Sequence, residues 1–468
     1  MSEFISNVNT VLYSYVLIIL LVGGGIYFTI RTKFMQGATL KEQLTSVAEK
    51  PKDKKGVSSF QALMVSTASR VGTGNILGVA SALMFGGFGS IFWMWIIAIL
   101  GGASAFVEST LAQIYKKKGP NGCYGGPSYY IEQRFKCRPL AIVFSVLLIL
   151  TYGVGFNMLA SYNLQSTFDI YSFYDSKITP WIIGAVVSVL VAICLLGGGK
   201  RIVKTTGFLV PIMGVAYIIV SIVVVCINIK AIPEVFAKIF YEAFDFKAIF
   251  GGLGGSCLMY GIKRGLYSNE AGIGSAPNAS ASADVSHPVK QGLVQVLSVF
   301  IDTLLICTAT AFMCMSSGVV PVEGMKEATY VQACLTKTLG GFGPIFITVA
   351  MVLFAFTTLI GNLFYVDKAI IHVCKKEPKK WIKNTYYIIF SMLILIGAGL
   401  SAGLLWDVAD VFMGLMALIN IPVIVIMSKY VVRALNDYKK QKKEGKEPSF
   451  LVKNIDLPDK VDCWQEEE

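Results

Sequence analysis

Charged residues are scarce in this sequence, since Asp, Glu, Lys and Arg together make up 15% of its 468 residues, where soluble domains carry about a quarter. Hydrophobic residues reach 54%, and the mean hydropathy is +0.64. A soluble chain of several domains needs more charge than this to cover its surface. The composition therefore excludes an ordinary soluble protein and predicts one that crosses a lipid bilayer many times.

Histidine is almost absent, with only His287 and His372, and no HExxH motif occurs. A membrane-embedded hydrolase would need a metal motif or a nucleophile with a base, so we predict that the protein is not an enzyme and has no organic cofactor. Ten cysteines include no CxxC pair and lie mostly in apolar segments. We expect them to pack as thiols and not to form a zinc site or a disulfide framework.

Long apolar runs dominate what is present. Eleven of them approach the roughly 20 residues needed to cross ~30 Å of hydrocarbon. They lie near 11–31, 60–83, 89–115, 138–165, 180–198, 205–228, 250–275, 290–316, 343–373, 381–402 and 406–432. The first run follows no basic segment and precedes no small-residue cleavage site, so we expect a retained helix and not a signal peptide.

The net charge of +12 comes from basic residues that cluster in certain loops. If all eleven runs span, every cluster falls on one side: 31–33 with 50–55, 116–118 with 134–138, 200–204, 375–383, and the tail from Lys429 to Lys446. Basic loops stay cytoplasmic in membrane proteins. We therefore predict a multi-pass plasma-membrane protein with its N-terminus outside and its C-terminus cytoplasmic. The positive charge then reflects membrane topology and not binding to a nucleic acid.

Two of the runs are interrupted at mid-depth, by SRVGTGNILG at 69–78 and by SNEAGIGSAP at 268–277. Each contains a GxG followed by a small polar residue, and each begins a set of five runs. Because five is odd, the second set crosses the bilayer in the opposite sense, as in an inverted-topology repeat. The predicted fold class is all-α, with one extra N-terminal helix and a five-plus-five core. The predicted divisions are 1–56, 57–230, 231–434 and 435–468.

Unwinding a helix inside the membrane frees backbone groups that lipid would penalise but a buried cavity can use. Amides at the N-terminus of a half-helix attract a carboxylate, and carbonyls at a C-terminus attract a cation. An amino acid with a sodium ion satisfies both, which predicts a secondary transporter. Two alternatives stay open: a GxG can simply let helices pack closely, and glycine-broken segments also build channel filters.

The chain resembles the alanine or glycine:cation symporter family (sodium:alanine symporters). The resemblance is carried by the segments FQALMVSTASRVGTGNILGVASAL, FGSIFWMW, GGPSYYIEQRF, RGLYSNEAGIGSAP, HPVKQGLVQVLSVFIDTLLICT, LFAFTTLIGN and DVFMGLMALIN. It implies eleven spans, a core of the leucine-transporter type, and sodium- or proton-driven uptake of a small neutral amino acid such as alanine or glycine.

The resemblance also implies a substrate site. The amides of Thr73, Gly74 and Asn75 would face the carboxylate of the amino acid, and carbonyls near Ser69 and Gly72 would accept from its ammonium. The remaining expected contacts are Gly272 and Gly274, which would close the pocket, with Phe156 and Asn157 on the third core helix. Many members of the family carry glutamine and asparagine where Ala160 and Tyr162 stand here, so glutamine selectivity stays an alternative.

For the coupling ion, the architecture implies the carbonyls of Ala68 and Val71 with the hydroxyls of Thr357 and Thr358. All-oxygen ligation suits a hard cation such as sodium. Adjacent threonines in a helix also bond back to the preceding turn, which is the alternative interpretation. Protons in place of sodium are the other.

Charged residues inside spans are functional candidates because their burial is costly. We expect Arg70 to neutralise a second ion site or to pair with Glu270, unless both extend to water, and Asp302 to couple ions or to make a structural hydrogen bond. Among further polar residues, Glu108 is expected to be solvated, and Lys263 and Arg264 to pair with Glu270 or to line a gate. Trp93, Trp95 and Trp406 are expected at the membrane interface.

Overall fold

The computed structural model of the protein describes residues 2–51, 56–120, 122–245 and 256–465. Within these ranges the regular structure is helical, and β pairing is limited to two isolated bridges. The first residues of the predicted 250–275 run, 250–255, lie outside the described ranges. The all-α fold class is confirmed.

Eleven spans are present among the described residues, as predicted. We number them along the chain: span 1, 2–31; span 2, 59–86; span 3, Gly89–Ile114; span 4, Arg138–Ser166; span 5, Thr179–Leu196; span 6, Gly199–Ile227; span 7, 257–280; span 8, Pro288–Ser316; span 9, Phe342–Cys374; span 10, Lys380–Ala398; span 11, Ala402–Lys443. Spans 3 to 6 and 8 to 11 are each long and apolar enough to cross a bilayer as one helix. Span 1 has its apolar part in Leu17–Arg31, and spans 2 and 7 are the interrupted ones.

Three spans contain a π-helical stretch, at Leu12–Val16, Ile149–Gly155 and Phe300–Cys307. Helices outside the spans are Met35–Ala38, Leu40–Val47, Pro127–Phe135, Ile232–Ala243 and Glu327–Leu339. The last spanning helix continues to Lys443, beyond the predicted end near 432.

Ion pairs join parts of the basic loops at one side of the bundle. Lys117 pairs with Asp462 at 2.8 Å, and Lys290 pairs with Glu49 at 3.0 Å. We call this the tail side, because the C-terminal segment 444–465 lies on it. The other end of the bundle is the opposite side.

Spans 3, 7 and 8 lie in the interior with span 2, whereas spans 5, 6 and 10 cover the outside. Their outward side chains are apolar: Ile182, Val186, Val189 and Ile193 on span 5, and Ile212, Val215 and Ile219 on span 6, are all exposed in the isolated chain. A soluble protein would place polar residues there, so this surface suits lipid.

Span 2 consists of two half-helices. Half-helix 2a, Ser59–Arg70, begins at a capping box in which Ser58 and Gln61 satisfy each other's backbone amides. It ends at Val71, whose ψ of 87° turns the next peptide out of the helical direction. Half-helix 2b, Leu77–Gly86, resumes after a 3₁₀ turn at Thr73–Asn75.

Span 7 is interrupted at the matching place. Half-helix 7a, Cys257–Asn269, ends at Glu270, which has a left-handed φ of 54°. Gly272 and Gly274 follow with φ of 84° and 87°, and the short helix Pro277–Ser280 comes next. Glycine adopts positive φ without the steric penalty that Glu270 incurs. Both predicted interruptions are therefore confirmed.

Candidate functional site

The first break leaves backbone amides available for a ligand. The Asn75 side-chain oxygen accepts from the Gly72 amide at 2.8 Å, and the Asn75 amide donates to the Gly72 carbonyl at 3.2 Å. The amides of Thr73 and Gly74 have no acceptor among the described residues, although both residues are buried. Buried amides normally find a partner. Two of the three amides expected to face a carboxylate are thus free, and that of Asn75 is engaged.

Asp302 ties the two breaks together from the π-helical stretch of span 8. Its carboxylate accepts from the side-chain amide nitrogen of Asn75 at 2.6 Å and from the Ser268 hydroxyl at 2.6 Å. The Thr303 hydroxyl adds a third contact at 2.8 Å. Asp302 is fully buried, so each bond is made away from solvent. This geometry favours the structural alternative for Asp302. No local pattern indicated that Ser268 would bond to it.

Glu270 is the second link between the breaks. Its two carboxylate oxygens accept from Ser69 at 2.9 Å and from Ser275 at 2.7 Å. The Ser69 hydroxyl also lies 2.6 Å from the Asn362 side-chain oxygen, and Asn362 donates to Asn157 at 2.9 Å. A hydroxyl has one proton and cannot donate to both neighbours at once. Three oxygen atoms, from Ser69, Glu270 and Asn362, therefore converge beside the first break.

Arg70 is buried but does not form the expected ion pair. Its side chain is 2% exposed and donates to the Gln295 side-chain oxygen at 2.9 Å. No carboxylate oxygen of the described residues lies within 4.0 Å of its guanidinium, and Glu270 is held by the two serines instead. Its burial rules out the alternative that it extends to water.

Glu108 is not solvated, contrary to expectation. It is fully buried and accepts from the Gly272 amide at 3.2 Å and from the Asn420 side chain at 2.8 Å. Asn420 also donates to the Gly272 carbonyl at 2.9 Å and accepts from Tyr130. The second break thus already holds a carboxylate from the protein itself. Glu108 is placed this way because span 3 packs along span 7, a long-range contact that its position near a span end conceals.

The glycines of the second break serve packing as well as conformation. A Cβ on Gly274 would lie 2.7 Å from the Phe144 ring and from Pro127. The amide of Gly272 is already bonded, so Gly272 and Gly274 close the site through the protein's own contacts.

The expected ion ligands are brought together in part. The Thr358 hydroxyl donates to the Ala68 carbonyl at 3.2 Å, and a Cβ on Gly72 would lie 2.1 Å from the same hydroxyl. The Thr357 hydroxyl bonds back to the Leu353 carbonyl at 3.0 Å, which is the alternative stated for it. Ala68 and Thr358 therefore face each other beside the break, and Thr357 does not join them in this conformation.

A cluster of three aromatic rings covers the first break toward the opposite side. The ring centroids of Phe156 and Tyr267 lie 4.7 Å apart, and those of Tyr267 and Trp406 lie 4.9 Å apart. A Cβ on Gly74 would be 2.5 Å from the Tyr267 ring. Trp406 is 6% exposed, so its predicted place at the membrane interface is wrong, because it packs under 7a.

An ion pair lies beyond these three rings. Lys263 contacts Asp410 at 2.8 Å, Arg264 contacts the same carboxylate at 3.6 Å, and Asp410 is fully buried. The Arg264 guanidinium also lies 4.0 Å from the centre of the Trp406 ring. Lys263 and Arg264 therefore pair with Asp410 and not with Glu270. Their other expected role, lining a gate, agrees with this position.

The tail side is open by comparison. A cavity of about 1280 Å³ lies between the start of 2a, the adjoining ends of spans 5 and 6, the end of span 9 and the start of span 10. Its lining runs from Ser58 and Gln61 to Phe364, which is on the helix that carries Thr358. The aromatic rings and the ion pair therefore lie on the opposite side of the candidate site, and the cavity lies on its tail side.

Comparison with known proteins identifies the family of this chain. The family model described as "Sodium:alanine symporter family" matches residues 1–452. The amino-acid carrier protein AlsT of Bacillus subtilis is 44% identical over 448 residues, 96% of this chain and 94% of the relative. The probable sodium/glutamine symporter GlnT of Bacillus subtilis is 42% identical over 466 residues, 99% of this chain and 96% of the relative.

Among solved structures, MhsT in complex with L-phenylalanine superposes with a TM-score of 0.57 at 16% identity, over 83% of this chain and 93% of that chain. At this identity the likeness concerns the fold, and it confirms the leucine-transporter type of core. With a family match and close relatives over nearly its whole length, the chain belongs to the sodium:alanine symporter family, whose members are membrane transporters and not enzymes.

Proposed function

We propose that the protein is a sodium-coupled symporter that carries a small neutral amino acid, alanine or glycine first, into the cell by alternating access. The observation that carries this proposal is the pair of buried, unbonded amides at Thr73 and Gly74 beside the Ala68 carbonyl and the Thr358 hydroxyl. Free amides suit a carboxylate and clustered oxygens suit a cation. Membership of the sodium:alanine symporter family supports both ligands.

The pocket supports a small substrate. We assign the carboxylate of the amino acid to the amides of Thr73 and Gly74, and its ammonium to carbonyls near Ser69 and Gly72. Tyr267 packs directly on Gly74, so a long side chain would have to displace the cluster of aromatic rings. Phe156 and Asn157 would form the wall, and the bond between Asn157 and Asn362 provides an amide that a glutamine side chain could use instead.

For the ion, we assign the carbonyls of Ala68 and Val71 and the hydroxyl of Thr358. Thr357 would join if its hydroxyl left the Leu353 carbonyl. The oxygens of Ser69 and Glu270 lie beside the first break and contribute negative potential. A ligand set made of oxygens favours sodium over softer metals.

Buried charge supports coupling to a cation. Four ionisable side chains of the site are buried, the cation Arg70 against the carboxylic acids Glu108, Glu270 and Asp302. An uncompensated buried charge is strongly unfavourable. Positive charge must therefore come from sodium, from the ammonium of the substrate or from protons, and this balance keeps proton coupling as the second candidate.

We place the tail side in the cytoplasm, as the basic loops predict. Sodium would bind first and order the first break, so that the amino acid finds its amides in place. Rocking of the core would then separate Lys263 from Asp410 to open the opposite side, and would close the tail-side cavity against 2a.

Uptake into proteoliposomes tests the proposal. Labelled alanine, glycine, serine and glutamine are compared under an inward sodium gradient, an inward proton gradient, both and neither. We expect sodium-driven, electrogenic uptake in which alanine or glycine competes best, because each charge moved gains about 2.3 kcal/mol per 100 mV. Uptake that ignores sodium but follows protons would establish the second candidate. A current far above the labelled flux would instead identify a channel.

A further inference from the structure

The C-terminal segment 444–465 is packed onto the transporter core and does not extend into solvent. The Phe450 amide donates to the Ser286 carbonyl at 3.0 Å, and the Ser286 hydroxyl donates to the Pro448 carbonyl at 2.8 Å. Glu447 pairs with the buried Lys290 at 2.5 Å. The segment is thereby attached to 281–287, the stretch that follows the second break.

The end of this segment reaches the start of the first interrupted span. Trp464 donates from its ring nitrogen to the Gln113 carbonyl at 2.7 Å, and it packs against an apolar cluster of Ala62, Ala283 and Val285. Ala62 belongs to 2a, and the Asp284 amide donates to the Val57 carbonyl at 2.9 Å just before 2a begins. Trp464 therefore covers the junction between 2a and 281–287.

Two cysteines meet where this segment ends. Cys463 lies between Asp462, which pairs with Lys117 at 2.8 Å, and the anchored Trp464. Cys123 precedes Tyr124, whose backbone exchanges two hydrogen bonds with Lys117, at 2.8 and 3.1 Å. Lys117 thus brings the two cysteines to the same place, and both are free thiols.

The environment of Cys123 favours reaction. The hydrogen bond from Cys463, together with Lys116 and Lys118, lowers the pKa of the Cys123 thiol to about 6 against the opposing effect of burial. Cys123 also lines the tail-side cavity, so small reagents can reach it. A cysteine that is both a thiolate at neutral pH and accessible is the reactive kind. Cys463, 6% exposed, is positioned as its resolving partner.

We propose that Cys123 and Cys463 form a reversible disulfide, and that this bond locks the C-terminal segment over the start of 2a and slows transport. The oxidant is a low-molecular-weight disulfide, RSSR. The Cys123 thiolate attacks one sulfur of RSSR and releases RS⁻; the Cys463 sulfur, after losing its proton, attacks the mixed disulfide and releases the second RS⁻. The two protein thiols lose two electrons, and RSSR is reduced to two RSH.

The lock follows from where the segment sits. Opening and closing of the tail-side cavity requires 2a to move relative to 281–287, and Trp464 packs against both of these elements. A covalent bond between Cys463 and the loop of Cys123 keeps Trp464 in place. This part of the inference rests on the proposed alternating access, whereas formation of the disulfide does not.

The full-length protein in proteoliposomes, treated with oxidised glutathione, tests the chemistry. We expect a peptide linked through Cys123 and Cys463 in non-reducing mass spectrometry, absent from Cys123→Ser and Cys463→Ala. The matched control Cys374→Ser removes an exposed tail-side cysteine and should leave the linked peptide unchanged. No linked peptide in the wild type, or one that uses Cys374 as readily, would overturn the proposal.

Uptake measured on the same samples tests the lock. Oxidation should remove most of the uptake by the wild type and by Cys374→Ser, a thiol reductant should restore it, and Cys123→Ser should not respond. Complete cross-linking with unchanged uptake would refute the lock. If the reduced wild type shows no uptake under any gradient, the proposed transport function is wrong. The linked peptide still tests, by itself, whether the disulfide forms.

Discussion

Ser69 and Glu270, one from each interrupted span, share a hydrogen bond of 2.9 Å. Glu270 holds a left-handed φ of 54°, a conformation that costs a non-glycine residue on the order of 1 kcal/mol or more. The bonds to Ser69 and Ser275 stabilise it. This carboxylate therefore links the end of 2a to the end of 7a.

Substitution Ser69→Ala should reduce uptake strongly. It removes the hydroxyl shared by Glu270 and Asn362, and a hydrogen bond to a charged group is worth about 1.5–3 kcal/mol, so we expect a fall in uptake efficiency of roughly tenfold or more. The measurement is initial uptake rate against alanine concentration. Ser81→Ala, in 2b and equally buried, is the control and should stay near wild type. Equal losses in both would indicate a general packing defect.

The two adjacent threonines should differ. Thr358→Ala removes the hydroxyl that faces the Ala68 carbonyl, and we expect the sodium concentration for half-maximal uptake to rise severalfold. Thr357→Ala removes a hydroxyl bonded to its own helix, so its sodium dependence should change little. Sodium titrations of uptake distinguish the two. An equal rise for Thr357→Ala would mean that its hydroxyl turns toward the ion when sodium binds.

Gly74 and Gly78, four residues apart in sequence, form a matched pair of substitution sites. Gly74→Ala would place a Cβ 2.5 Å from the Tyr267 ring, whereas Gly78→Ala meets its nearest atom, on Trp406, at 3.8 Å. Overpacking a dense site costs about 1–3 kcal/mol. We expect Gly74→Ala to lose most of its uptake and Gly78→Ala to keep it, at similar amounts of folded protein in gel filtration. Normal uptake by Gly74→Ala would contradict the assigned pocket.

Asp410→Asn should destabilise the closed opposite side. It leaves Lys263 and Arg264 without their buried counter-charge, a change that costs about 3–5 kcal/mol in comparable pairs. Thermal unfolding in detergent should shift down clearly. Glu234→Gln is the control, since it breaks an exposed pair with Lys238 whose contribution to stability is small in water. Equal shifts would show that the Asp410 pair is no stronger than a surface contact.

The reactivity of Cys123 should depend on Cys463. The hydrogen bond from Cys463 lowers the pKa of Cys123 to about 6, so alkylation by iodoacetamide should reach half its maximal rate near that pH and level off above it. Cys463→Ala removes the donor, and the midpoint should move up toward about 8.5, the ordinary thiol value. Peptide-resolved mass spectrometry measures this rate for Cys123 alone. An unchanged midpoint in Cys463→Ala would show that Cys463 is not the cause of the lowered pKa of Cys123.

The breaks could be predicted because glycine and polar residues inside an apolar run leave a local signal. The partners of the breaks leave none. Tyr267 and Asn362 stood inside segments that the sequence singled out, yet nothing indicated that one packs on Gly74 and the other reaches Ser69. Glu108 looked solvated because it lies near the end of a span, and its bond to Gly272 crosses 164 residues of chain.

The sequence by itself determined the membrane-spanning architecture, the basic side and the two interruptions, because hydropathy, charge and glycine content act locally along the chain. Only the tertiary structure decided which polar groups pair. Arg70 donates to Gln295, Lys263 pairs with Asp410, and the Thr357 hydroxyl donates to a carbonyl of its own helix. In a low-dielectric interior each buried polar atom bonds to a neighbour that the packing of the helices provides. Because most of these neighbours lie far away in the sequence, no local pattern predicts them.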